Sequence, residues 1–382
     1  MNHNYLVYLD YAAATPMDPG VLAAMQPYFS DLFFNPSATY LAAKGVHADL
    51  EAARGRVAHW LGARPAEIVF TAGGTEANNL AIRGIMAQFP GSSLVTSAIE
   101  HESVLATAQQ YEHREAPVTA EGIIDEDALV GLIDDSTVLV SVMYANNEVG
   151  TVQPLGRLAQ ALEAIRRERR TKGNKLPLYF HTDAAQAAAY LDLHAARLGV
   201  DLMTINAGKI YGPKQAGALF VSSAVRLQPQ VFGGGQERGL RSGTENVAGA
   251  IGLATALDMV QTRRHTEVTR LQGLQKLFFE LISQELPSAV PNGSRKMRLP
   301  NNVHITIPGT DNERLIFQLD EAGILCAAGS ACSADSGEPS HVLKAMGLSD
   351  QDARSSLRFT MGAGTTEAHI RTTVEKLKHF TA

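Results

Sequence analysis

The stretch from Leu176 to Lys214 constrains the fold of this chain more than any other, because it spells strand, crossover and strand in succession. One apolar run, Leu178-Tyr179-Phe180, stops at His181-Thr182-Asp183; a second, Asp201 to Ile205, stops at Asn206-Ala207-Gly208-Lys209. A helical segment lies between them, and that order is the grammar of a parallel sheet, whose ligand crevice is lined by residues just past the strand ends. Asp183 and Lys209 are therefore predicted to face one pocket. A buried carboxylate holds a pyridinium nitrogen protonated and a buried lysine forms a Schiff base with an aldehyde, which are the two needs of pyridoxal phosphate. A structural ion pair between neighbouring strand ends is the alternative from this segment alone.

The chain has 382 residues, enough for one large and one small domain sharing an interface. Its 45% hydrophobic and 19% charged residues are those of a globular protein. A net charge of -6 gives no general attraction to nucleic acid or to an anionic membrane. The one basic run, Arg166-Arg167-Glu168-Arg169-Arg170, closes a helical pattern and reads as a solvated helix end. The opening MNHNYLVYLD has no basic and apolar signal pattern, and the apolar stretch Val247 to Val260 is too short to span a bilayer, so a cytoplasmic location is expected. Cys326 and Cys332 match neither a disulfide framework nor a zinc signature, so a metal site is not expected.

Along the chain, Tyr5 to Tyr11 reads as a short strand and Val21 to Ser30 as a helix broken by Asn35-Pro36. A further helix covers His47 to Leu61, closed by Gly62. Ile68-Val69-Phe70 then runs through Gly73-Gly74-Thr75 into a helix start; free amides after a glycine turn attract phosphate, although no Walker lysine follows. Leu94 to Ser97 ends near His101, and Val138 to Tyr144 ends in Asn146-Asn147-Glu148. This repeated strand, polar tip and helix over residues 65 to 221 predicts one doubly wound α/β domain, with no short internal repeat. Gly233 to Thr244 is too glycine-rich for regular structure and is expected to be an ordered loop reaching an anion.

A helical pattern from Thr244 to Leu286 precedes alternating elements: a strand at Val303 to Ile307, a helix at Glu313 to Glu321, a strand at Leu357 to Thr360, and a closing helix with Ile370, Val374 and Leu377 on one face. The division is therefore a large domain over residues 15–262 and a small α+β domain over residues 263–382, joined by residues 1–14, with the hinge near Gln261 to His265. Within the small domain the small residues of Ala327 to Ala334 surround Cys332, so an exposed and mobile thiol is expected there; Cys326 reads as an apolar strand residue. Arg358, among apolar strand residues, needs a carboxylate partner, structural or substrate.

Together these stretches resemble the cysteine desulfurases of the NifS/IscS-like group, in class V of the aminotransferase superfamily. The resemblance runs from Tyr8-Leu9-Asp10-Tyr11 to the final helix and is carried by Gly329-Ser330-Ala331-Cys332, Arg241-Ser242-Gly243-Thr244, Asn146-Asn147-Glu148-Val149-Gly150, Asp183 with Gln186, and Lys209 before Ile210-Tyr211-Gly212-Pro213-Lys214. It implies a homodimeric pyridoxal phosphate enzyme of fold type I that converts L-cysteine to L-alanine and leaves a persulfide for a sulfur-acceptor protein, in iron–sulfur cluster assembly or in tRNA or DNA thiolation. Lys209 matches the lysine that takes the cofactor aldehyde and moves the substrate α-proton, and Asp183 the partner of the pyridine nitrogen. Gln186 and Asn147 match residues at the ring hydroxyl and substrate, and His101 the histidine stacked on the ring and a proton shuttle. Gly74 and Thr75 fall at the phosphate cup, with Thr244 arriving from the partner subunit. Arg358 and Asn35 match grips on the substrate carboxylate, and Cys332 the sulfur nucleophile.

Two departures stand out. The family's Ser-Gly-His before the lysine is replaced by Asn206-Ala207-Gly208, removing an imidazole and a hydroxyl that contact phosphate in relatives. Looser cofactor binding is expected unless Asn206 and the Gly208 backbone compensate. Relatives that dock the iron–sulfur scaffold often continue further past the thiol than Ala382, which argues for another acceptor. Selenocysteine lysis, another reaction of the same cofactor, and a non-catalytic partner that kept the fold are the competing readings.

Overall fold

The computed structural model describes residues 6–329 and 338–381. Cys332, with the rest of Ser330 to Gly337, lies outside the described residues. In chain order the strands are β1 (Val7–Tyr8), β2 (Ile68–Thr71), β3 (Ser93–Ser97), β4 (Glu112–Ala116), β5 (Thr137–Ser141), β6 (Tyr179–Asp183), β7 (Leu202–Asn206), β8 (Gly217–Val221), β9 (Val290–Pro291), β10 (Asn302–Thr306), β11 (Ile324–Leu325) and β12 (Ser356–Thr360).

Seven of them form the main sheet in the order β2-β8-β7-β6-β5-β3-β4. Neighbours from β7 through β4 are parallel, whereas β8 runs antiparallel to both β7 and β2. Strands β3, β5 and β8 are buried along their whole length, including the Ser and Thr positions of β3 and β5, as expected of a sheet covered on both faces. The reversed direction of β8 was not foreseen, since an apolar run of five residues carries no sign of its polarity. The helix Leu41–Leu61 ends at Gly62, whose left-handed φ of 60° makes glycine the suitable residue there, as its sequence predicts.

The second unit holds a three-stranded antiparallel sheet, β12-β10-β9, and the pair β1-β11. Val7 pairs with Ile324 and Tyr8 with Leu325, so β1 is bound to an element more than 300 residues further along the chain. One helix of 39 residues, Val247–Glu285, runs through Gln261 to His265, where the sequence reading put a hinge. Ile370, Val374 and Leu377 are buried on the closing helix, Glu367–Thr381. Arg169 departs from the solvated helix end expected of the basic run: it is buried, and its guanidinium donates to the carbonyls of Thr137 and Asp134. Among the described residues, no helix is long and apolar enough to cross a membrane, and no group of three metal-binding side chains occurs.

Candidate active site

The strand ends of the main sheet open onto one cavity lined by Ala12, Ala13, Gly74, Thr75, Asn78, His101, Ser103, Asn147, Asp183, Gln186, Asn206, Lys209 and Arg358. At its floor β6 ends in Asp183, which is 9% exposed. One carboxylate oxygen accepts from the Ala185 amide at 2.9 Å and the other from the Asn78 side chain at 2.7 Å. Beside it β7 leads into the short turn Ala207–Lys209, which carries Lys209 into the cavity. The Lys209 ammonium donates to the Ala12 carbonyl at 2.9 Å and to the Ala13 carbonyl at 2.6 Å. The Gln186 amide donates to the same Ala12 carbonyl at 3.0 Å, so the segment after β1 forms one wall.

A second cavity adjoins the first and is lined by Gly73, Gly74, Thr75, Asn206, Lys209, Lys214, Gln215 and Arg241. Here the helix Gly74–Met86 begins, and Gly73 before it has φ 123°, a backbone conformation that suits glycine. The first amides of any helix have no intrahelical acceptor, and they carry the positive end of its dipole, so this terminus is built for an anion. Lys214 adds positive charge, whereas Arg241 is paired with Glu76 of the first helical turn at 3.0 Å. A Cβ built on Gly74 would lie 3.4 Å from Asn206, so the turn and Asn206 pack edge to edge. The Asn206 carbonyl oxygen is spent on the Gly208 amide at 3.2 Å, leaving its amide nitrogen for the cavity.

His101 forms the N-cap of the helix Glu102–Ala108. Its Nδ1 accepts from the Ser103 amide at 3.0 Å and lies 2.9 Å from the Ser103 hydroxyl. That hydroxyl is in turn 2.8 Å from the Asn78 amide nitrogen, which donates. The relay Asn78 to Ser103 to His101 therefore runs one way, fixes Nδ1 as an acceptor, and leaves the ring hydrogen on Nε2. Asn78 Oδ1 is buried without a partner. An orphaned acceptor on the cavity wall, a floor carboxylate, an amine and a helix-start cradle are together the donor and acceptor set that pyridoxal phosphate requires, and the residues present fit it.

At the opposite end stands Arg358 on β12, its side chain 2% exposed. Its Nη1 donates to the Asn147 carbonyl at 3.0 Å and its Nη2 to Asp10 Oδ1 at 2.7 Å, while Nε is buried without a partner among the described residues. Two deeper groups back the site. Glu100, fully buried and accepting from the Met143 amide at 2.7 Å, is held well above the usual carboxylate range by desolvation. His181, between Ser141 and Thr204 and two residues before Asp183, is pushed down to about 4 by burial. Cys326, half-buried beside Asp10 and Arg358, has its thiol pushed up to about 12, first by desolvation and then by Asp10.

The structure thus gathers Lys209, Asp183, Gln186, His101, Gly74, Thr75, Asn147, Asn206 and Arg358 around one continuous cleft. It does not bring Asn35 there: that side chain is exposed and accepts from the Ser37 amide at 2.9 Å. Thr244 lines a neighbouring cavity with Gly243, Glu245 and Glu237, which shares Ala72, Gln215 and Arg241 with the second cavity. Sequence reasoning assigned no role to Asn78, Ser103, Asp10 or Lys214. Asn78 follows Gly74 by one helical turn, so the spacing alone puts it on the face that meets the phosphate cradle, a signal that was there to be read.

The comparisons with known proteins agree with this geometry. The model of the class-V aminotransferase family matches residues 7–372. A protein of Dictyoglomus turgidum described as cysteine desulfurase IscS is 38% identical over 98% of this chain and 94% of its own length. A solved structure described as a NifS-like protein superposes with a TM-score of 0.89 at 28% identity, covering 98% of this chain and 99% of that one. Another, described as SspA in complex with cysteine, gives 0.79 at 35% identity over 93% and 98%. With the family match spanning almost the whole chain, this protein belongs to the class-V aminotransferases, fold type I pyridoxal phosphate enzymes, and within them to the cysteine desulfurases.

Proposed function

We propose that this chain takes the sulfur from L-cysteine, releases L-alanine and passes the sulfur through Cys332 to an acceptor protein, with each step assigned to the residues around the cleft. The observation that carries the assignment is the presence of Lys209, Asp183, His101 and Arg358 on one cavity wall. Bound there, pyridoxal phosphate supplies a carbonyl for the amine and an electron sink for the substrate α-carbon. Asp183, oriented by Asn78 and the Ala185 amide, holds the positive charge of the ring nitrogen. Gly74 and Thr75 would give the phosphate its amides, with Lys214 as counter-charge and Arg241 holding Glu76. Gln186 and Asn147 face the ring hydroxyl and substrate, and His101 covers the ring.

Arg358 takes the substrate carboxylate, which fixes the α-carbon near Lys209 Nζ, and that amine carries the α-proton. The Cys332 sulfur attacks the substrate sulfur; a sulfur–sulfur bond forms as the carbon–sulfur bond breaks, and the pair from the broken bond ends as a carbon–hydrogen bond of alanine. His101 delivers a proton from Nε2, because Nδ1 is committed to Ser103. The resemblance further supports a homodimer in which Thr244 completes the partner's phosphate cup and Asn35 adds to the carboxylate grip. The strongly exposed Phe29, Phe33 and Leu41 are the kind of surface a second copy would cover. A cytoplasmic location belongs to the same reading.

The test is turnover of purified protein supplied with the cofactor. L-cysteine should give alanine and sulfide in equal amounts with a thiol reductant present, and borohydride should tag the peptide carrying Lys209. Lys209→Ala should lose both results, and Cys332→Ser should lose sulfide release while keeping the absorbance of the bound cofactor. Absence of alanine from the loaded wild-type protein would overturn the proposal.

A further inference from the structure

We infer that Asp10 is an internal occupant of the substrate-carboxylate site, a competitor carried by the chain itself that sets how tightly Arg358 holds L-cysteine. The inference rests on the reading of Arg358 as the carboxylate grip. A guanidinium binds a carboxylate best through two parallel N–H bonds, and in Arg358 only part of that fork is in use. Nη2 meets a single oxygen of Asp10 at 2.7 Å, Nη1 is tied to the Asn147 carbonyl at 3.0 Å, and Nε, on the other tine of the same fork, is buried with no partner among the described residues. The site is half filled by a carboxylate and holds an unused donor beside it.

The two partners differ in freedom. Arg358 sits inside β12 in register with His304, and its side chain is 2% exposed, so it has nowhere to go. Asp10 has its backbone fixed, through a bridge to Thr360 and through the Tyr8 hydroxyl on its carbonyl at 2.9 Å, but its carboxylate is 20% exposed. It is the side chain that can turn to water when another carboxylate arrives. Two carboxylates at one guanidinium repel, so binding substrate means displacing Asp10 or loosening it. In the absence of substrate Asp10 supplies the countercharge that a buried guanidinium needs. The pair therefore exchanges affinity for a site that stays neutral and closed when empty.

Asp10→Asn keeps the shape and an acceptor oxygen but removes the charge. The variant is expected to lower the KM for L-cysteine and the dissociation constant of L-alanine, followed by the absorbance of the bound cofactor, by about tenfold, equivalent to ~1.4 kcal/mol. Its melting temperature without ligand should fall, and L-alanine should raise it by more than in the wild type. An unchanged or raised KM overturns the inference and makes Asp10 a positioning residue. Arg358→Lys separates this outcome from failure of the underlying reading. If that variant leaves KM unchanged, the carboxylate grip is wrong. If it raises KM while Asp10→Asn does not lower it, only the competitor is wrong. If Asp10→Asn fails to fold, Asp10→Glu, which keeps the charge but shifts the carboxylate by one methylene, is measured instead, and a KM and L-alanine dissociation constant unchanged in that variant overturn the inference.

Discussion

The two ends of the cleft are built on different principles. The cofactor end uses parts that lie close in sequence to a strand tip: the glycine turn into the helix Gly74–Met86, Asp183 closing β6, and Lys209 just past β7. The substrate end is assembled from afar. Arg358 meets Asp10 across 348 residues and the Asn147 carbonyl across 211, and neither contact follows from a local pattern. The first end is a consequence of topology, since any parallel sheet brings its strand ends to one edge. The second is a consequence of how the N-terminal segment and the small sheet dock beside that edge.

If the cofactor end is the chemical one, its floor should tolerate no loss of charge. Asp183→Asn preserves the acceptor for the Ala185 amide but not the charge, and kcat should fall by about 10²- to 10³-fold, the scale seen when one preorganised electrostatic partner is removed. L-alanine binding should change little, because its carboxylate is held at the other end. A comparable loss of alanine affinity would erase the distinction between the two ends.

Each end also has a buried neutral histidine beneath it. His181 backs Asp183, and His304, in register with Arg358, is pushed down to about 3 by burial, with Arg298 and Arg358 lowering it further. Both folded-state values lie below the ordinary 6.5, so the stability they contribute is complete above pH 6.5 and is lost as pH falls towards 4. Each histidine should contribute a slope of about 1.4 kcal/mol per pH unit in that window. Glu100 runs the other way, its raised value favouring the fold at low pH and costing stability as pH rises, so the histidines must be read singly. Denaturant unfolding of His181→Asn and His304→Asn between pH 4.5 and 6.5 should each show one such slope missing. An unchanged slope in either variant would place that ring in contact with water.

This contrast also accounts for what the sequence disclosed. Asp183, Lys209 and the Gly73-Gly74-Thr75 turn were legible because strand ends and helix starts leave periodic and compositional marks. The direction of β8 left none, and neither did the burial of Arg169, whose guanidinium satisfies carbonyls at the far edge of the sheet instead of water. Asp10 sits in a quoted motif, yet its partner lies at the other end of the chain. Ser103 shows a third case: its residue type is ordinary for a first helical turn, and only the positions of Asn78 and His101 give it a task.

The cofactor end can be sharpened as well as broken. The family resemblance puts an imidazole where Gly208 stands, and a Cβ built there meets nothing closer than Asn206 Oδ1 at 3.7 Å. Gly208→His should tighten pyridoxal phosphate by about 10- to 100-fold in apo-enzyme titration, the worth of one charge-assisted bond of ~1.5–3 kcal/mol. The KM for L-cysteine should stay put, since Arg358 is untouched. Unchanged cofactor affinity would mean that Asn206 and the helix start already satisfy the phosphate.

The smallest effect should come from the relay that joins the floor to His101. Ser103→Ala removes the hydroxyl between Asn78 and His101 but keeps the amide that caps Nδ1, so the tautomer survives while its second restraint is lost. A hydrogen bond of this kind is worth about 1 kcal/mol, so kcat should fall about fivefold with KM unchanged, and Ser103→Thr, which keeps a hydroxyl, should recover most of it. Because Asn78 also touches Asp183, the variants Ser103→Ala and Asp183→Asn should combine to less than the sum of their separate effects. Full additivity would show that Asn78 transmits nothing between Asp183 and His101, and that the histidine belongs to the substrate end.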